Sequence, residues 1–242
     1  MAGDHASIAN DVAKLKKTVH TGQLSEADRL FQKIKIKLTQ FNSLPPLFEP
    51  SSTAIDELVV ARDALETGAL LMVKLKDNQR FERNFSQLKA YYSDTRDLLQ
   101  QSEMEHTLVG LNLLRLLSQN RIAEFHTELE VISPAAQETV YVKEAIMIEQ
   151  WLMEGAYNKV IEARTKASNI EFASHFLDDL IITVKEELAA CSSRAYNSLS
   201  TSDARRIMML DSEDELKDLV KDEVRFFSIK HSILKSKFVD GL

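Results

Sequence analysis

"SQNRIAEFHTELE" (residues 118–130) sets one histidine among three glutamates, Glu124, Glu128 and Glu130. Placed on a helix at about 100° per residue, Ile122, Phe125, Leu129 and Ile132 gather on one face. Arg121, Glu124 and Glu128 fall on the opposite face, and His126 and Glu130, spaced i,i+4, sit at a border of the apolar stripe. The carboxylates therefore do not converge on the imidazole. A zinc centre needs three or four protein ligands, and this helix offers two. The stretch reads as one helix of a packed array, with Ile122, Phe125 and Leu129 inward and an acidic face turned to solvent or to a basic neighbour.

Working outward, the same period recurs. Just upstream, "TLVGLNLLRLL" (107–117) places Leu108, Leu111, Leu114 and Leu117 on a helix. Asn112 and Arg115 interrupt it, and no run approaches the ~18 apolar residues of a membrane span. Downstream of Pro134 come Val142, Ile146, Ile148 and Trp151, then Gly155, then Tyr157, Val160 and Ile161. Residues 7–40 form a helical hairpin. Ile8, Val12, Leu15 and Val19 share a face, Gly22 supplies the stop, and Ser25 is the expected N-cap of a second helix carrying Leu30, Phe31, Ile34 and Leu38. "NSLPPLFEPSS" (42–52) is a loop. Ile55, Leu58, Val59, Leu65 and Leu71 mark the next helix, and Asp77 caps its successor, with Phe81, Phe85 and Leu88 inward. Each unit is helix, short turn, helix, about 35–45 residues long, the pattern of a tetratricopeptide-like solenoid.

Composition agrees. The 242 residues include only 6 Gly and 4 Pro, with 44% hydrophobic and 28% charged side chains, which favours long helices joined by short turns. The single cysteine, Cys191, excludes an internal disulfide and a multi-cysteine zinc site, and points to a reducing compartment. The N-terminus carries Asp4 and Asp11 and no apolar core of a secretory leader, so cytoplasm and nucleus are the expected locations.

From about residue 178 the character changes. A helix over 180–199 precedes "STSDARRIMMLDSEDELKDLVKDE" (200–223), two short helices with a turn at Leu210–Asp211 and a capping-box pair, Ser212 with Glu215. "VRFFSIKHSILKSKF" (224–238) alternates around Phe227, Ile229 and His231 as a short β hairpin would. Three helices and a hairpin are the order of a winged helix. The predicted fold class is thus mainly α, a helical-hairpin solenoid over 1–175 followed by a winged-helix domain with a small β wing over 176–242.

Residues that could carry chemistry are sparse. G-x-x-x-x-G-K-[ST], G-x-G-x-x-G and H-E-x-x-H are all absent, and no two of the six histidines lie within five residues. Cys191 reads as a core or interfacial thiol, and Asp178 and Asp179 diverge by about 100° on their helix. No catalytic residue, metal ligand or cofactor is expected. A metal-dependent hydrolase stays open as an alternative that elemental analysis would decide.

The winged helix raises nucleic-acid binding as another alternative, because the second helix of such a motif enters the major groove. Here that helix, 211–223, sets seven acids against two lysines, and phosphate would repel it. Neither nucleic acid nor membrane is therefore an expected partner. An acidic helix beside a hairpin edge suits a protein neighbour, through strand pairing at that edge. The candidate contact residues are Asp214, Glu215, Asp218 and Lys221 on the helix and Phe226, Phe227 and Ile229 on the edge.

Helical repeats running into a winged helix resemble the PCI domains of the proteasome lid, the COP9 signalosome and a translation initiation factor complex. "QNRIAEFHTELE" (119–130), "YVKEAIMIEQWLMEGAYNKV" (141–160) and "AACSSRAYNSLSTSDARRIMML" (189–210) are similar to the small PCI subunit of the 26S proteasome lid, the regulatory-particle non-ATPase subunit twelve family. The resemblance spans most of the chain and is strongest over about 105–210. It implies a PCI module over roughly 76–242 and a non-catalytic scaffold serving lid assembly and ubiquitin-dependent degradation. The partners it implies are other lid PCI subunits, met side by side through winged helices, with the ubiquitin-receptor region of the regulatory particle as a further candidate contact. The family's C-terminal helix is not legible before "KFVDGL", and the Gly-Trp expected near the wing is missing, so a shortened or divergent tail is expected.

Overall fold

The computed structural model describes residues 2–49, 53–166, 172–196, 200–207 and 209. Among these there are eleven helices and no strand. The second predicted short helix, the capping box at Ser212 and the β wing all lie outside the described residues.

The chain opens on a hairpin of α1 (Ala2–His20) and α2 (Leu24–Leu38). Ile8, Val12, Leu15 and Val19 of α1 are buried, as are Phe31, Ile34 and Leu38 of α2, while Leu30 packs at their margin. The expected cap at Ser25 is corrected: α2 begins at Leu24, its N-cap is Gln23, and that cap makes no side-chain hydrogen bond. The turn at Gly22 is tight enough to place Ser25 inside the first turn.

Helix α3 (Ala54–Lys74) packs against α1 and α2 and pairs with α4 (Asn78–Asp94). All five marked residues fall on this helix: Leu58, Leu65 and Leu71 are buried, Val59 is partly so, and Ile55 is exposed. It lies in the first turn of α3. Asp77 caps α4 as predicted, its carboxylate accepting the Arg80 N–H at 2.9 Å. Phe81, Phe85 and Leu88 point inward, and Phe81 stacks on Phe85.

Helix α5 (Glu105–Ser118) is the central element of the second half. It packs against α4, α6 (Ile122–Val131), α8 (Val140–Met153) and α10 (Ala173–Ala195). Being enclosed on several sides, it buries Leu113 and Leu116 as well as the four leucines of the predicted stripe. The short α7 (Pro134–Gln137) precedes α8, and α8 pairs with α9 (Tyr157–Lys166). Helix α10 starts earlier than the predicted 180 and leads to α11 (Thr201–Ile207).

Four turns between paired helices share one cap. Gly22, Lys76, Asn120 and Gly155 are all left-handed, with φ of +78°, +58°, +55° and +69°. The N–H of the next residue in each case reaches back five positions: Gln23 to Thr18, Asp77 to Met72, Arg121 to Leu116 and Ala156 to Trp151, at 2.8–3.2 Å. This is the Schellman arrangement, which satisfies carbonyls that a helix end would leave unpaired. The next helix starts two residues after each left-handed position. Four helix pairs thus reverse through the same backbone turn, without a side-chain consensus at it.

Two glycines set how closely the helices approach. A Cβ on Gly68 of α3 would stand 2.1 Å from the Phe31 ring of α2, and one on Gly110 of α5 would stand 2.5 Å from Tyr141 Cβ of α8. Both contacts are far inside the roughly 3.5–4.0 Å of ordinary carbon contact.

Candidate interaction surface

The acidic face of 118–130 is satisfied within the chain. Phe125 is fully buried, and Ile122, Leu129 and Ile132 pack against the core around it. Glu124 is clasped by Arg121 through two bonds, Nε to Oε1 at 2.6 Å and Nη2 to Oε2 at 2.5 Å. Glu128 takes the ammonium of Lys89 from α4. His126 pairs not with Glu130 but with Glu149 of α8, Nε2 to Oε1 at 3.3 Å. The basic neighbours of this face are thus its own helix start and the adjoining helices.

Behind it runs an ion ladder that starts at a buried arginine and ends at the surface. Arg115 is 3% exposed. Its Nε and Nη2 donate to Asn112 Oδ1 at 3.2 and 3.0 Å, and its Nη1 donates to Gln119 Oε1 at 2.9 Å. The same Nη1 lies 3.3 Å from Glu82 Oε2, and Glu82 Oε1 accepts from Arg121 Nη1 at 2.7 Å. The hydrogen bond from Arg121 holds the carboxyls of both Glu82 and Glu124 below the usual range, and burial lowers the Arg115 guanidinium. The two residues that interrupt "TLVGLNLLRLL", Asn112 and Arg115, are therefore partners. Their i,i+3 spacing was the available signal.

The described residues contain no group of three His, Cys, Asp or Glu that could hold a metal ion. No helix among them is long and apolar enough to cross a membrane. Asp178 and Asp179 serve different partners: Asp178 accepts from Arg164 at 2.6 Å, and Asp179 accepts from Asn78 at 2.9 Å. Cys191 is exposed on α10, which corrects the expectation of a core thiol.

The residues predicted to meet a partner, Asp214, Glu215, Asp218, Lys221, Phe226, Phe227 and Ile229, all lie outside the described residues. The approach to them is described. Helix α11 is capped by Ser200, whose Oγ accepts from Asp203 N at 3.2 Å and donates to Asp203 Oδ2 at 2.7 Å. Met209 follows and lines a small apolar cavity with Tyr157 and Ile161 of α9 and Ile181, Val184 and Leu188 of α10. Met209 thus packs at the α9–α10 face.

Residues 103–224 match the model of the CSN8/PSMD8/EIF3K family. The 26S proteasome non-ATPase regulatory subunit 8 homolog A of Arabidopsis thaliana is 47% identical over 205 residues, covering 85% of this chain and 76% of the relative. The 26S proteasome regulatory subunit rpn12 of Schizosaccharomyces pombe is 33% identical over 219 residues, 87% of this chain and 77% of its own. The corresponding RPN12 of Saccharomyces cerevisiae is 29% identical over 214 residues, 86% and 78%.

Proposed function

The chain belongs to the CSN8/PSMD8/EIF3K family, and from that premise we propose that it is a non-catalytic scaffold subunit of the 26S proteasome regulatory-particle lid. The observation that carries this reading is 47% identity across 85% of the chain to a relative named as a 26S proteasome regulatory subunit. Fungal relatives with proteasome names cover as much of it. These names favour the lid over a signalosome or initiation-factor complex. A rigid array of hairpins with identical caps suits a part that holds neighbours at fixed spacing rather than one that turns over substrate.

In this reading the hairpins up to about residue 175 form a tetratricopeptide-like solenoid, and residues 176–242 form the winged-helix half of a PCI module. The subunit works in cytoplasm and nucleus and meets other PCI subunits of the lid through its winged helix, near the ubiquitin-receptor region of the particle. Asp214, Glu215, Asp218 and Lys221 would set polarity and register, and Phe226, Phe227 and Ile229 would supply apolar area. Charge complementarity at such a rim acts mainly on specificity and association rate.

Affinity capture from lysate, read by mass spectrometry, tests this. The tagged 242-residue chain should recover lid subunits. The variant Asp214→Lys with Asp218→Lys, equally helical by circular dichroism, should lose them. Recovery of signalosome or ribosomal subunits instead would overturn the assignment.

A further inference from the structure

A trough lies where α4, the start of α5 and the end of α6 meet. It consists of a cavity of about 460 Å³ and an adjoining one of about 170 Å³. The two share Tyr92, Arg96, Gln101, Glu105 and Ser133 in their walls. The larger falls within the roughly 300–1,000 Å³ of pockets that bury ligands. Its wall is mostly apolar, from Phe85, Tyr92, Val109, Val131 and Ile132. Val131 is 82% exposed at the rim, although it is a large aliphatic side chain at a helix end.

The charge of the trough runs against that of the chain. The protein is −7 overall, yet the trough wall holds three permanent cations, Arg62, Lys89 and Arg96, against two carboxylates, Glu105 and Glu128. The carboxylates are the deeper partners. The Arg96 side chain is 66% exposed over a Glu105 that is 10% exposed, at 3.0 Å, and Lys89 likewise covers Glu128. What faces outward is therefore guanidinium and ammonium, with His106 beside them, bonded to Gln101 at 3.1 Å. At the smaller end, Arg62 donates Nη1 to Gln100 O at 2.6 Å, but its buried Nε has no hydrogen-bond partner. Glu66 Oε1 stands 3.9 Å from that Nε, and Asp63 Oδ1 stands 3.9 Å from Arg62 Nη2.

We propose that this trough is a docking site for a partner-protein segment that combines carboxylates with large apolar side chains. The apolar side chains enter between Val109, Val131 and Ile132, and the carboxylates meet Arg96, Lys89 and Arg62. The two wall carboxylates disfavour a phosphate chain, and the predominantly apolar lining gives a bare anion too little to bury. The site shares no residue with the proposed winged-helix contact and does not depend on that reading.

A random 12-residue peptide display library panned on the 242-residue chain tests the proposal, followed by fluorescence anisotropy of synthesised hits. Enriched sequences should carry Asp or Glu beside Leu, Ile, Phe or Trp. Two exposed positions probe the wall without touching the core: Val131→Asp should weaken those hits at least tenfold. Arg96→Gln, whose amide still donates to Glu105, should weaken them about fivefold. Ile182→Asp, on the exposed side of α10, should leave affinity unchanged. The proposal fails if panning enriches nothing or enriches basic sequences, or if hits bind both wall variants as well as wild type. It also fails if sedimentation shows a wild-type dimer that Val131→Asp dissociates, because the occupant is then a second copy.

Discussion

Substituting Gly68 by Ala tests how closely α3 packs against the Phe31 ring of α2. The new Cβ would lie 2.1, 2.3 and 2.7 Å from three carbons of the Phe31 ring. Restoring ordinary contact requires the ring to withdraw by about 1.5 Å. Phe31 is fully buried between α2 and α3, so the ring has no free direction and the helices must part. Overpacking of this kind costs about 1–3 kcal/mol, and the size of the overlap places it near the upper end. Removing a glycine from a helix interior returns about 1 kcal/mol. The net expectation is a loss of about 2 kcal/mol, or roughly 4–8 °C in Tm for a chain of this length. Phe31→Leu alone should cost about 1–2 kcal/mol, a fraction of the roughly 3–5 of a full truncation to Ala. In the double variant the new methyl occupies space the ring vacated. Its loss should be about 1 kcal/mol, a coupling of about 2 kcal/mol between sites that would otherwise add. Urea denaturation of the four proteins measures the cycle. A neutral or stabilised Gly68→Ala, or strict additivity with Phe31→Leu, would refute the packing of α2 on α3.

Three further outcomes are expected. Lys76→Gly, at an exposed left-handed cap with φ of +58°, should stabilise the chain by about 0.5–1 kcal/mol, seen as a higher urea midpoint at unchanged m-value. Arg115→Met should destabilise by about 2–4 kcal/mol because Asn112 Oδ1 loses both its donors in the core, and the loss should persist in 1 M salt, which screens only exposed pairs. Burial raises the Glu66 carboxyl, with the Tyr92 hydroxyl bonded to it at 2.9 Å opposing the shift. A raised carboxyl makes its full contribution below the unfolded value near 4.3 and loses it as pH climbs through the folded value. Glu66→Gln should therefore remove that fall, and stability measured from pH 4 to 8 should be flatter than in wild type.

The helical hairpins were legible because burial on one side leaves a 3.6-residue trace, as Ile8, Val12, Leu15 and Val19 do. Errors fell where the governing distance was shorter or longer than that period. Ser25 read as a cap because its side chain suits the role, but Gly22 turns the chain so tightly that α2 is already under way. Lys76 and Asn120 do the work of Gly22 and Gly155 without glycine's signature, so the left-handed residue at those two turns left no mark in the sequence. His126 was placed beside Glu130, four residues away, whereas its partner Glu149 arrives on another helix. The same reason hid Lys89 from Glu128. The trough left no trace at all, because its walls are set by the spacing of three helices. The winged-helix residues remain where sequence put them, as a proposal resting on charge and alternation.

The central claim is membership of a large assembly through residues 211–229. Native size fractionation of lysate from cells expressing the tagged chain tests it most directly. The account predicts that the chain runs with proteasome regulatory-particle subunits, and that Asp214→Lys with Asp218→Lys moves it to the fractions of a free 242-residue protein. A wild-type chain found only in those free fractions, or a variant that stays in the assembly, would contradict it.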